Sequence, residues 1–268
     1  MKKPSLCISI VTYHSDVIML EKAIDSIVAS LAIQAQSFSD IEIRFVINDD
    51  LGSDYYRKVF PQNITVIEFS GHGNIGFGRG HNLALLQSRA DYYIIANPDV
   101  EFGSDFFHKV ISVLQKYPHA GMISPEVSNE KSVRLYLCKE YPTIFLLFLR
   151  VIPFSGIKKW FSAYMRKIEY MDDIGQSKSF EPVIATGCLM IVRGDIFRQI
   201  GGFDPDFFLY FEDYDLTMRI AECAKVIYEP AIKIIHHGGG ASLKGWRHIR
   251  LFIASAFRFF NKHGWRWY

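Results

Sequence analysis

The chain has 268 residues, 49% of them hydrophobic and 22% charged, with a net charge of +2. That size and composition fit one large α/β domain with a substantial core; they exclude intrinsic disorder and leave no overall field that would draw in nucleic acid. Cys7, Cys138, Cys188 and Cys223 are widely spaced, make no CxxC pair and no zinc pattern, and read as thiols of a reducing, cytoplasmic compartment.

Residues 6–11 are apolar, β-branched and too short for a signal-peptide core, so they predict a buried strand that runs into Thr12, Tyr13 and His14. Residues 17–35 carry Leu20, Ala23, Ile24, Ile27 and Leu31 at helical spacing, with Asp16 suited to the N-cap. A second strand over 41–47 ends in Asn48, Asp49 and Asp50, and a third covers 64–69. Asn63-Ile64-Thr65 matches a glycosylation sequon, which has no meaning in a cytosolic chain. A helix is predicted over 78–88, a fourth strand over 92–96 ending in Asn97-Pro98-Asp99, and a helix over 104–116.

Strands alternating with helices predict a parallel, doubly wound sheet. Ligands of such sheets bind beyond the carboxyl ends of the strands. The polar clusters at Thr12, Asn48–Asp50 and Asn97–Asp99 fall at those ends.

Beyond about residue 122 the alternation weakens. Residues 143–165 are aromatic and basic, broken by Pro153 and Gly156. The longest apolar run, 144–152, is interrupted by Arg150 and falls short of the roughly 20 residues that cross a bilayer. A strand is predicted over 183–192, a helix over 212–224 and one or two short strands over 226–237. No flexible linker separates the halves.

Four stretches carry chemistry. Asn97-Pro98-Asp99 reads either as a turn or as a strand-end carboxylate holding Mg²⁺ or Mn²⁺ against a leaving diphosphate. The stretch from Gly71 to Asn82 holds five glycines within ten residues, which lets backbone approach a ligand. Its Gly71-x-Gly73-x-x-Gly76, with Asp91 twenty residues on, also matches a dinucleotide fingerprint and opens a competing reading as an NAD-dependent oxidoreductase. That fingerprint normally follows the first strand of its unit, not the third. Asp204, Asp206, Glu212 and Asp213 lie among aromatic residues, with Asp215 following. Asp215 reads as a helix first-turn acid opposing the macrodipole. The pair Glu212 and Asp213 reads as functional, because a carboxylate in a partly apolar site can reach a general base's working range. Finally, His236-His237 precedes a glycine run and could ligate a metal as neutral imidazole.

This ordered set resembles the family 2 glycosyltransferases over roughly residues 5–242. Ser9-Ile-Val-Thr-Tyr13 is similar to the family's opening strand. Asn74-x-Gly-Phe-x-x-Gly-x-Asn82 and Asn97-Pro-Asp99 are similar to its donor-site motifs. Gly201-Gly-Phe-Asp204 and Phe211-Glu-Asp-x-Asp-Leu216 are similar to its acceptor-side motif. The resemblance implies the GT-A fold, a Rossmann-like, mostly parallel sheet flanked by helices, in a domain over 1–242. It implies that Thr12, Tyr13, Gly76 and Asn82 line the nucleotide-sugar pocket, with Asn97 and Asp99 at the diphosphate. Asp99 and His237 become the metal ligands, His237 being preferred over His236 for its spacing to Ser242. Asp213 becomes the general base, with Glu212 beside it as the alternative. The family has an aspartate where this chain has Asn48, so the nucleobase contact falls to Asn48 or Asp49.

The implied reaction inverts the anomeric carbon. The loop and the Asn-Pro-Asp turn resemble the branch containing bacterial rhamnosyltransferases, which points to dTDP-L-rhamnose and to a glycan acceptor, lipid-linked, in surface polysaccharide synthesis. A non-catalytic sugar- or lipid-binding module is the remaining competitor, favoured by Asn48 and opposed by the retained acids. Residues 243–268 form a separate basic, aromatic helix with six Lys/Arg and no Asp/Glu. It is expected to lie on anionic lipid at the inner face of the membrane, to serve as an acceptor-side element, or to pack on the core.

Overall fold

The computed structural model describes residues 3–49, 60–61, 64–151, 159–238 and 245–268. Asp50, Asn63, Pro153, Gly156 and Ser242, singled out above, lie outside them.

The first half is four parallel strands with helices between. Strand β1 (Ser5–Thr12) leads into α1 (Val17–Gln34), then β2 (Asp40–Ile47), β3 (Thr65–Phe69), α2 (Phe77–Leu85) and β4 (Tyr92–Ala96). Asp16 caps α1, its Oδ1 accepting the N–H groups of Ile18 and Met19, a contact worth about 1 kcal/mol. β1 pairs in parallel with both β2 and β4, and β2 with β3. The polar ends of β1, β2 and β4 therefore lie side by side on one edge of the sheet.

The second half closes the sheet differently. β5 (Val100–Phe102) is followed by α3 (Phe106–Lys116), β6 (Ala120–Ser128), β7 (Arg134–Leu135), β8 (Cys138–Lys139) and α4 (Ile144–Val151). Then come α5 (Ser162–Ile168), α6 (Met171–Gly175), β9 (Ile184–Ala185), β10 (Leu189–Arg193) and α7 (Gly194–Gln199). The chain ends with α8 (Glu212–Ala221), β11 (Lys225–His236) and α9 (Gly245–His263). The sheet order is β3-β2-β1-β4-β10-β6-β11-β5, with β7 on β6. β10 runs antiparallel to both β4 and β6. The sheet is thus parallel in its first half and mixed in its second.

Alternate residues of the central strands feed two cores, as period-two geometry requires. Leu6, Ile8 and Ile10 face α1 and α3 with Ile24, Ile27 and Phe106. Cys7 and Val11 face the other layer, with Leu85, Phe197 and Leu216. Each buried Leu, Ile or Phe contributes about 1.5–3 kcal/mol. A third cluster joins the turn before α8, through Phe207 and Phe211, to Phe259 and Phe260 of α9.

The strand expected over 183–192 is two strands, β9 and β10, separated by Thr186, Gly187 and Cys188. Thr186 and Gly187 interrupt the apolar run there, and the Thr186 N–H and hydroxyl both donate to the Leu137 carbonyl. The chain is drawn off the sheet at the point where it passes the functional residues.

Candidate active site

The ends of β1, β2 and β4 surround a cleft of about 400 Å³. Tyr13, Asn48, Gly76, Asn97 and Asp99 line it, as do Phe208 from the turn before α8 and Arg247 and His248 from α9. Asn48 Nδ2 donates to the Gly76 carbonyl at 3.2 Å. Its Oδ1 is sealed and has no partner among the described residues. Gly76 has φ +89°, and a Cβ there would lie 2.5 Å from the Phe208 carbonyl oxygen. Only glycine serves at that point.

Three residues expected in the pocket have other positions. Thr12 is fully buried and offers its carbonyl to the Asn48 N–H. Asp49 turns to the His14 N–H at 2.5 Å, joining the loops after β1 and β2. Asn82 is corrected outright. Its Oδ1 accepts the Phe203 N–H at 2.8 Å and its Nδ2 donates to the Phe203 carbonyl at 2.7 Å. It pins α2 to the Gly201–Gly202 turn, with both ends of its amide engaged by the Phe203 backbone.

Asp99 meets a histidine, but not the expected one. His236 Nε2 lies 3.2 Å from Asp99 Oδ1, an oxygen that is sealed and otherwise unbonded among the described residues. Burial opposes ionisation of Asp99, yet the His236 imidazole prevails and holds the carboxyl below its usual range. A Cβ on Gly238 would lie 1.9 Å from Asp99 Oδ2, so backbone packs directly on this carboxylate. His237 points elsewhere, its ring nitrogens 2.5 Å from Glu130 Oε1 and 2.9 Å from Glu101 Oε2. Burial opposes its charge, but the two carboxylates raise its pKa. The histidine beside Asp99 is thus His236 and not the expected His237, because consecutive residues at a strand end point apart.

Oxygen and imidazole donors suit a Mg²⁺ or Mn²⁺ that keeps waters and takes phosphate oxygens as further ligands. The sealed Asp99 Oδ1 beside His236 fits such an ion. Among the described residues no group of three or more His, Cys, Asp or Glu is arranged as a complete metal cage.

The acid pair is set by the backbone. Tyr210 and Phe211 both have left-handed φ, +72° and +63°. These strained residues turn the chain so that α8 opens with Glu212 and Asp213. Asp213 Oδ2 accepts the Gly187 N–H at 3.0 Å, and Oδ1 accepts the Tyr214 N–H at 2.9 Å. Burial raises its pKa above the ordinary aspartate range. Glu212 is raised by burial and, next, by the charge of Asp213. Its Oε2 is sealed and unbonded among the described residues.

The break between β9 and β10 links the acid pair to the cleft. Gly187 binds Asp213, while the carbonyl of the next residue, Cys188, accepts the Asn97 N–H at 2.8 Å. Burial chiefly pushes the Cys188 thiol up, and Asp99 and Asp213 both add to the shift. Neither Glu212 nor Asp213 is part of the cleft wall itself. Sequence reasoning missed this connection. The one available signal was Gly187 interrupting a β-branched run.

The dinucleotide reading fails on position. Asp91 accepts the Ser5 N–H and hydroxyl at 2.8 and 2.9 Å, at the start of β1 and so at the opposite end of the sheet from the cleft. It could not reach a ribose bound there.

No protein-family model matches the chain. It is 26% identical over 179 residues to N-acetylglucosaminyl-diphospho-decaprenol L-rhamnosyltransferase of Mycobacterium tuberculosis, covering 61% of this chain and 56% of that protein, so the likeness spans little more than half the length of that relative. It is 23% identical over 237 residues to rhamnosyltransferase WbbL of Escherichia coli K12, covering 85% and 83% of the two chains. Its fold matches the crystal structure of GalNAc-T7 with UDP, GalNAc and Mn²⁺ at a TM-score of 0.65 and 12% identity, over 96% of this chain and 48% of that one. The chain has the GT-A fold. In this fold Asp213 and Asn97 meet the Gly187–Cys188 segment from two directions. Among its described residues no helix is long and apolar enough to cross a membrane.

Proposed function

We propose that the protein is an inverting glycosyltransferase that moves L-rhamnose from dTDP-L-rhamnose to a hydroxyl of a lipid-linked glycan, in bacterial surface polysaccharide synthesis. It works on the cytoplasmic side of the membrane that holds its acceptor. The observation carrying this reading is the Gly187–Cys188 segment, which ties Asp213 on one side to the strand end of Asn97 and Asp99 on the other. The names of the M. tuberculosis and E. coli relatives support the sugar, and the decaprenol-linked acceptor in the first name supports the lipid.

Asp213 is the general base. Two backbone N–H groups hold its carboxyl oxygens, while burial raises its pKa and so its basicity towards a proton. As the acceptor hydroxyl gives its proton to Asp213, its oxygen forms a bond to the anomeric carbon. The bond from that carbon to the diphosphate oxygen breaks on the opposite face. Asn48, with its Oδ1 unpartnered among the described residues, faces the nucleobase. Asp99 and His236 would hold a Mg²⁺ or Mn²⁺, which supplies charge neutralisation for the departing diphosphate.

The test is incubation with dTDP-L-rhamnose, other nucleoside-diphosphate sugars and NAD, with and without Mg²⁺ or Mn²⁺, following thermal stabilisation and diphosphate release. Metal-dependent stabilisation and release with a nucleotide sugar, lost in Asp99→Asn, is expected. A protein that binds and consumes none of these sugars refutes the reading; binding without turnover makes it a sugar-binding module instead.

A further inference from the structure

Helix α9 does two things at once. Ser255, Ala256, Phe259 and Phe260 bury one stripe of it in the core. Beside that stripe, Trp246, Ile249, Ile253 and Phe257 recur at intervals of three and four and share a second face. That face is open: Trp246 is 81% exposed, Ile253 50% and Phe257 55%. The chain after the helix widens it. The Trp265 ring stacks on Phe260 at 5.2 Å and meets Phe257 edge-on at 5.3 Å, and Trp267, 65% exposed, lies 6.4 Å from Trp265. The tail is fixed, since the Arg266 and Trp267 carbonyls accept the N–H groups of Ile144 and Phe145 at the start of α4.

An apolar face of this extent on a folded chain marks a contact surface. Its charge selects the partner. From Gly245 to Tyr268 there is no Asp or Glu. Arg247 and Arg250 are exposed and have no ion-pair partner among the described residues, and Arg266 lies over the Tyr141 ring at 4.0 Å. A second copy of the chain would bring the same cations against themselves. Tryptophans, β-branched residues and arginines on one rigid face match instead the headgroup layer of an anionic bilayer, where indoles sit at the interface and arginines meet lipid phosphates.

We propose that the open face of α9, with Trp265 and Trp267, docks the protein on an anionic lipid surface. Arg247, His248 and Leu251 of the same helix line the cleft. Docking through α9 therefore brings one wall of the cleft to the headgroups, where a lipid-linked acceptor presents its sugar. The helix is already held by the core, so binding orders no new segment and loses little conformational entropy. The use made of the docking rests on the transferase reading; the docking itself does not.

The experiment is sedimentation of the full chain with phosphatidylcholine vesicles, with and without phosphatidylglycerol. The wild type should pellet with the anionic vesicles, much less with the neutral ones, and be released by salt. Arg250→Gln should weaken binding about fivefold, and the double variant Ile253→Asp, Phe257→Asp should lose it. Unchanged circular dichroism and nucleotide-sugar binding show that the double variant is folded. Equal binding by wild type and double variant, or no binding by either, overturns the proposal. So does a lipid-free dimer that the double variant abolishes, which would assign the face to a second copy. Transfer to a water-soluble acceptor fragment is read separately: vesicle binding without any transfer leaves the docking face standing and refutes the transferase reading alone.

Discussion

Asp213 and Asp215 stand two positions apart in the first turn of α8, and the regions they face are opposite in kind. On the Asp215 side, Arg219, Lys262 and His263 converge on one fully buried carboxylate at 2.7–2.8 Å. Asp204 adds a second contact to Lys262 at 2.6 Å. These acids fasten α9 to the body of the protein. On the Asp213 side the carboxylate is held by the backbone N–H groups of Gly187 and Tyr214, and Lys139 acts on it only weakly, through its charge. A paired carboxylate is stable and chemically inert, whereas one held by N–H groups in a dry setting stays basic enough to accept a proton. One acidic stretch thus supplies both an anchor and a candidate base.

Substitution can break this comparison at either end. Asp213→Asn should lower kcat by about 10²–10⁴-fold with little change in nucleotide-sugar affinity or melting temperature. Turnover near wild type would remove Asp213 from the chemistry. Asp215→Ala should do the reverse. Arg219, Lys262 and the His263 ring would lose their buried partner, at a cost of about 3–5 kcal/mol in stability by chemical denaturation. If that variant melts like wild type, the anchoring reading of this side fails.

Glu212→Gln sharpens the contrast through pH. Burial and the Asp213 charge raise the Glu212 pKa in the fold, so the folded state binds the proton more tightly than the unfolded chain. Stability is then fully present below the ordinary glutamate pKa and is lost as pH rises towards the raised value, by at most about 1.4 kcal/mol for each pH step of one across that window. Urea midpoints of the wild type should fall across that window, and those of Glu212→Gln should fall less. Parallel profiles for the two proteins would show that Glu212 is not held protonated.

Much of the architecture was legible in the residues. Period-two and period-3.6 patterns placed β1, β2, β4, α1 and α3 within a few positions, because burial on one or both faces is written directly into such spacing. Asp16 as the cap of α1 and the polar strand ends as the site were legible for the same local reason. The misreadings concern which of two adjacent residues faces a partner far along the chain. His236 and His237 have the same chemistry, and only the presence of Glu101 and Glu130 around one and Asp99 beside the other tells them apart. Asn82 looked like a ligand-binding amide until Phe203, 121 residues away, took both its ends. The expected strand over 183–192 was broken by Leu137, and that break made Gly187 available to Asp213.

The α9 region shows the same division. Its amphipathic spacing and unopposed positive charge could be read directly, and they allowed either core packing or lipid contact. The fold makes room for both, by burying Phe259 and Phe260 and leaving Ile253 and Phe257 open on a neighbouring stripe. Periodicity and local composition, then, determined the elements, their order and the edge of the sheet where ligands gather. Tertiary structure alone decided which carboxylate is neutralised, which histidine faces Asp99 and which face of the last helix stays open. Those properties depend on desolvation and on partners distant in the chain, and neither is encoded in the spacing of nearest neighbours.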